Sequence, residues 1–135
     1  MSFTKDGFKD QIKKIYGPTI LSKEDAFAQW NIGLTEHLRQ ANFNGFNPSS
    51  FGKDLSALFA ASASSETFIA DFGSNLETWA KGISASNGKD TKAAVTPEKL
   101  DFAAFSKEHE QDTDIEKYQD DLAVYLHNWF SKITF

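Results

Sequence analysis

The chain has 135 residues, with 19 Asp and Glu against 14 Lys and Arg and a formal net charge of −5, a balance that argues against a nucleic-acid phosphate backbone as partner. Cysteine is absent, which removes disulfides, thiolate chemistry and cysteine-based zinc sites together. The length is that of one ordinary domain, and no apolar run approaches the ~20 residues that a membrane-spanning helix needs.

In chain order, the first helix is predicted from Phe3 or Thr4 to Tyr16, with Phe8, Ile12 and Ile15 on one face and Gly17-Pro18 stopping it. Ser22 reads as the N-cap of a second helix, with Asp25 in the acidic position of a capping box. Its apolar face is Ala26, Phe27, Trp30, Leu34 and Leu38, and it should end near Gln40 to Asn42. Gly33 lies inside this helix at a cost of ~1 kcal/mol against Ala, which points to close approach of another element. Asn42 to Asn47 is a turn-rich connection that carries Phe43 and Phe46.

Asn47-Pro48 then reads as the N-cap and first residue of a third helix, whose face is Phe51, Leu55, Leu58 and Phe59. Ser64 or Ser65 should cap the fourth, with Glu66 near the positive end of its dipole. That helix has the most regular stripe of all, Phe68, Phe72, Leu76, Trp79 and Ile83. From Ser84 to Val95 helix signals cease, and Asn87-Gly88 is a strong turn. We read 84–95 as a mobile contact loop, since long loops in small domains are commonly binding segments. Thr96-Pro97-Glu98 restarts a short helix containing Leu100, Phe102, Ala103 and Phe105. Thr113-x-x-Glu116 is a capping box for the last helix, which carries Tyr118, Leu122, Leu126, Trp129 and Ile133.

Trp30, Trp79 and Trp129 are nearly evenly spaced. The flanking segments share neither caps nor charge pattern, so this is three helices with one large core ring each and not a repeat. No segment shows a persuasive period-2 alternation. The expected fold is all-α: a compact single-domain bundle of about five or six helices over residues 1–135.

Chemistry-bearing groups are sparse. His37, His109 and His127 lack the i, i+4 spacing of a helical metal site, so each is read as a structural or surface residue; whether they meet in space is not encoded locally. Asp112-Thr113-Asp114 begins like a calcium loop, but the required glycine does not follow. The acids from Glu108 to Glu116 are read as a solvated helix N-terminus. Nucleophile elbow, phosphate loop and dinucleotide fingerprint are all missing. No catalytic residue, cofactor or metal is therefore assigned.

The expected role is a non-enzymatic structural or assembly protein, acting through protein partners or self-association, without nucleic acid or membrane. Its interface candidates are Phe43, Phe46, Lys89, Lys92 and Phe135. Phe51 could extend the Phe43 and Phe46 anchor, although a loop rich in Asn and Gly often tucks such rings inward. In general appearance, through Phe27-Ala28-Gln29-Trp30 and Leu76-Glu77-Thr78-Trp79-Ala80-Lys81-Gly82-Ile83, the chain resembles the small helical structural proteins of tailed-phage particles. That resemblance implies a subunit at the neck, tail or capsid surface, cytoplasmic in the producing cell and then part of a virion. It carries over no functional residue. Two other roles compete: a helical module enclosing a small apolar ligand, and an acidic regulator of a basic protein.

Overall fold

A computed structural model describes residues 3–61 and 65–135. Among these, six helices are accompanied by a three-stranded antiparallel sheet, so the protein is mixed α and β and the all-α expectation is wrong. The elements are α1 (Lys5–Ile15), α2 (Lys23–Arg39), β1 (Asn47–Phe51), α3 (Leu55–Ala60), α4 (Ser65–Lys81), β2 (Ile83–Ser86), β3 (Thr91–Ala93), α5 (Phe102–Glu108) and α6 (Ile115–Phe130).

The first two helices form where their caps place them. The Thr4 hydroxyl accepts a hydrogen bond from the Gly7 amide, 3.1 Å, and the Ser22 hydroxyl accepts one from the Asp25 amide, 3.1 Å. The Asp25 carboxylate reaches back to the Leu21 amide, 3.1 Å. In each helix a side chain thus satisfies one of the amides that the first turn leaves without an intrahelical partner. Gly33 sits where α2 crosses α1: a Cβ there would lie 3.4 Å from Gln11 Cβ, the close approach that the glycine implied.

The third helix starts at Leu55, not at Pro48. Asp54 caps it, and the Asn31 side chain accepts from the Leu55 amide, 3.0 Å. Residues 47–51 are instead strand β1, with Asn47 opposite Ser86 and Phe51 opposite Ile83, and the register shifts between Pro48 and Ser50. A proline is tolerated in an edge strand or beside a bulge, because it need not donate to the ladder there. The 84–95 segment is no irregular loop either. Ser84 pairs with Ala93 and Ser86 with Thr91, and the turn is closed by the Asn87 amide donating to Asp90 O, 3.1 Å. Ile83, expected at the end of the α4 stripe, opens β2 and is still buried.

Thr96-Pro97-Glu98 does not start a helix; Asp101 caps α5 five residues later than Thr96. Asp114 caps α6 in place of Thr113, accepting from the amides of Glu116 and Lys117. Of the proposed caps, Ser64 lies outside the described residues, and α4 begins at Ser65 with Glu66 in its first turn.

One core joins these elements. It contains Trp30, Trp79 and Trp129 together with Phe8, Phe59, Phe72 and Phe130. Phe72 stacks on Phe102 of α5 at 4.0 Å, and Trp79 lies between Phe51 of β1 at 5.9 Å and Phe130 of α6 at 6.3 Å. Each tryptophan is therefore a core ring, as its place on an apolar stripe required. Among the described residues, no helix is long and apolar enough to cross a membrane.

Candidate functional site

The sequence-predicted interface residues fall around a turn that links α2 to β1. Phe43 and Phe46 face each other through two backbone hydrogen bonds, Phe43 N to Phe46 O at 2.8 Å and Phe46 N to Phe43 O at 3.1 Å. The two residues between them, Asn44 and Gly45, have φ of 54° and 93°. This is the Asn-Gly turn with positive φ at both central positions, whose twist suits antiparallel neighbours. The Asn42 side chain accepts from the Gly45 amide, 2.7 Å, and fixes the turn from the α2 side.

Held this way, the two rings go to different neighbours. Phe43 packs against Phe135 at 5.2 Å and Phe3 at 5.7 Å. Phe46 lies under the Lys92 ammonium at 5.0 Å, a cation–π contact to β3. Beyond β3, Val95 exchanges two backbone hydrogen bonds with Thr134, 2.8 and 3.0 Å, which brings the 131–135 segment alongside. Val95 itself is 62% exposed. Between the Asn42–Asn44 turn and Ser131, Ile133, Thr134 and Phe135 lies a recess of about 300 Å³.

The structure therefore brings Phe43 and Phe135 together, ties Phe46 to Lys92, and leaves Lys89 exposed at the hairpin tip. All three rings are half-buried. Phe43 and Phe135 pack against the core edge, while Phe46 is not part of that cluster. Phe51, also half-buried, packs onto Trp79 with the Arg39 guanidinium over its ring at 5.1 Å, and so has other neighbours than Phe43 and Phe46.

Beneath Phe43 lies a contact between histidines 90 residues apart. His37 Nε2 of α2 and His127 Nδ1 of α6 are 2.9 Å apart and buried. Phe8 stacks flat on His37, 4.2 Å between centroids and 9° between planes. Phe3 covers both rings, at 4.6 Å from His37 and 4.7 Å from His127. At this distance one nitrogen donates and the other accepts, so the pair holds together with both rings neutral. Burial pushes His37 down to about 3, helped by its neighbour His127. Burial likewise lowers His127, with Lys5 as the second cause. The sequence does hold a signal for this: His37 stands seven residues after Trp30, and His127 four after Ala123 and three before Phe130, each on a buried helical face.

The third histidine belongs elsewhere. His109, which ends α5, bonds Asp112 through Nδ1 at 2.6 Å and lies 3.8 Å from Asp121. These residues offer three donor atoms within 4.8 Å of one another, a set that a divalent cation could use. The Lys117 ammonium already sits 2.8 Å from Asp121. That hydrogen bond raises Lys117 and lowers Asp121. The cluster is thus an internally paired network at the start of α6, and the Asp112-Thr113-Asp114 run is a capped helix N-terminus as its composition suggested.

Compared with known proteins, the chain matches no family model, no curated protein and no solved structure.

Proposed function

We propose that this protein works by association, as a small non-enzymatic assembly subunit that contacts protein partners or further copies of itself through the ring surface around Phe43. The observation that carries this reading is the continuity of that surface: Lys92 over Phe46, Phe46 bridged to Phe43, Phe43 against Phe135, and exposed Val95 bridged to the residue before Phe135. Apolar groups rimmed by polar ones are the anatomy of a contact surface. Asn42, Asn44, Ser131 and Thr134 share the recess with the rings, which suits a polar-rimmed protein contact better than an enclosed apolar ligand. The acids near α6 are engaged with His109, Lys117 and helix amides, which weakens the case for an acidic regulator. The setting we propose is a tailed-phage particle, at its neck, tail or capsid surface, with the subunit cytoplasmic until it is incorporated; the support is the general likeness of its helical segments to such proteins.

The test replaces Phe46 and Val95 by Ser, since neither ring nor branch belongs to the core cluster. The expected result is an unchanged circular dichroism spectrum with weakened association in sedimentation over a wide concentration range. A wild-type chain that stays monomeric throughout, and retains no partner when isolated from its own source, would overturn the proposal.

A further inference from the structure

The histidine pair and the ring surface are joined by one residue. Phe3 rests on both His37 and His127 and on Phe43, which in turn meets Phe135. We propose that His37 and His127 form a proton-sensitive latch on this surface: while both rings are neutral they seat Phe3 and hold the Phe43–Phe135 pair, and on taking up protons they release Phe3 and loosen it. This inference rests on reading the ring surface as an interface, and it names the regulation of that interface.

The geometry gives the reason. A neutral pair shares one hydrogen, donated from one ring to the lone pair of the other across 2.9 Å. A first added proton places a cation between Phe3 and Phe8, where water cannot solvate it. A second sets N–H against N–H and removes the acceptor. The ring faces attract a cation by only about 0.5–2 kcal/mol, and no charged group among the described residues on the neighbouring helices favours it. On α1 the charged group that bears on the pair is Lys5, which opposes protonation of His127. On α2, Glu36 and Arg39 flank His37 but are exposed, and Lys132 after α6 is exposed as well. Among the described residues no carboxylate contributes to holding a proton on either ring.

Release falls on Phe3 and not on Phe8 for a local reason. Phe8 is fully buried inside α1, whereas Phe3 is half-buried and precedes the Thr4 cap. Turning Phe3 outward needs only the residues ahead of the helix to move, and it admits water to both rings. A histidine that titrates normally when uncovered, and resists protonation when covered, makes uncovering about tenfold more favourable per pH unit below about 6.5.

The experiment follows amide hydrogen exchange in the whole chain at about pH 7 and about pH 5.5, as protection corrected for the intrinsic exchange rate at each pH, with Leu76 deep in α4 marking global opening. The reporters are the amides of Gly7 and Phe8, which bond to Thr4 at 3.1 and 3.0 Å. Their protection, lower than that of Leu76 at both pH values, should fall at least about tenfold on acidification. It should stay level in the double variant His37→Gln and His127→Asn, which keeps an amide donor facing an acceptor and cannot titrate. Phe3→Ala supplies a second readout: the ring resonances of both histidines should titrate closer to pH 6.5 than in wild type. Equal protection at both pH values, the same fall in the double variant, or histidine titration unmoved by Phe3→Ala would each overturn the latch. Sedimentation at the same two pH values separates the two proposals. Association that weakens with acid in wild type only supports both, whereas a monomer at either pH with the exchange response intact overturns the interface and leaves the latch standing.

Discussion

Replacing Gly73 by Ala should destabilise the fold although it improves a helix. Gly73 lies within α4, where Ala is worth ~1 kcal/mol more than Gly. A Cβ at this position, however, would stand 2.0 Å from the Leu100 carbonyl oxygen and 3.1 Å from its carbon. The obstacle is backbone, so the 98–101 segment has to retreat by more than an ångström. That segment is pinned to α6 by two side chains: the Trp129 indole donates to Glu98 O at 2.8 Å, and the Tyr125 hydroxyl donates to Asp101 O at 3.0 Å. Retreat weakens both bonds, each worth about 1 kcal/mol, and disturbs the stacking of Phe102 on Phe72. With an overpacking cost of about 1–3 kcal/mol set against the gain in propensity, the net loss should be about 2–4 kcal/mol. Gly33→Ala is the matched control. Its new methyl would meet Gln11 Cβ at 3.4 Å, a tight but ordinary contact, so its stability should stay within about 1 kcal/mol of wild type. Urea unfolding followed by tryptophan fluorescence measures both. A Gly73→Ala protein as stable as wild type would refute the reasoning, because the helix gain would then have met no opposing contact.

Three further outcomes follow from the same geometry. Trp79→Ala should cost about 3–5 kcal/mol, since the ring is 1% exposed between Phe51 and Phe130; a melting point within a few degrees of wild type would contradict this. Stability should fall in acid: above about pH 6.5 the histidines are neutral whether folded or not, and below it the unfolded chain binds protons that the folded pair refuses. For His37 the loss should reach up to about 1.4 kcal/mol per pH unit as the pH drops toward its folded value near 3, and a urea midpoint that does not move between neutral pH and pH 5 would exclude it. Trypsin should cut first after Lys89 at the exposed hairpin tip and later after Lys92, which is held opposite Ala85; mass spectrometry of the early fragments decides the order.

What the sequence disclosed depended on how local the cause was. Thr4, Ser22 and Asp25 announce α1 and α2 because a cap acts within four residues, and Gly33 announces a helix crossing because little else justifies it. Asn47-Pro48 misleads because the same dipeptide serves a helix start and a bulged edge strand. Only Gly52 and Gly82, bonded at 3.2 Å, and the distant residues of β2 decide between the two. In β2 the alternation is present, with Ile83 and Ala85 buried and Ser84 and Ser86 less so, but four small residues are too few to outweigh the helical stripe leading into them. Phe43, Phe46 and Phe135 stood out as rings beyond the clear helices. Their meeting, like that of His37 with His127, is a product of the tertiary fold.

The packing of α1 against both α2 and α6 also shapes how the chain is made. On a ribosome, α1 and α2 emerge early and can pair, but the face carrying Phe8 and His37 waits for Phe130 and His127. At about 5–20 residues per second, the roughly hundred residues between these halves take about 5–20 s to synthesise. Through that interval the nascent hairpin carries an uncovered apolar face and a histidine of ordinary basicity. The last helix is therefore the step that commits the molecule, and a chain arrested before α6 should be held by chaperones or degraded while α1 and α2 are already helical.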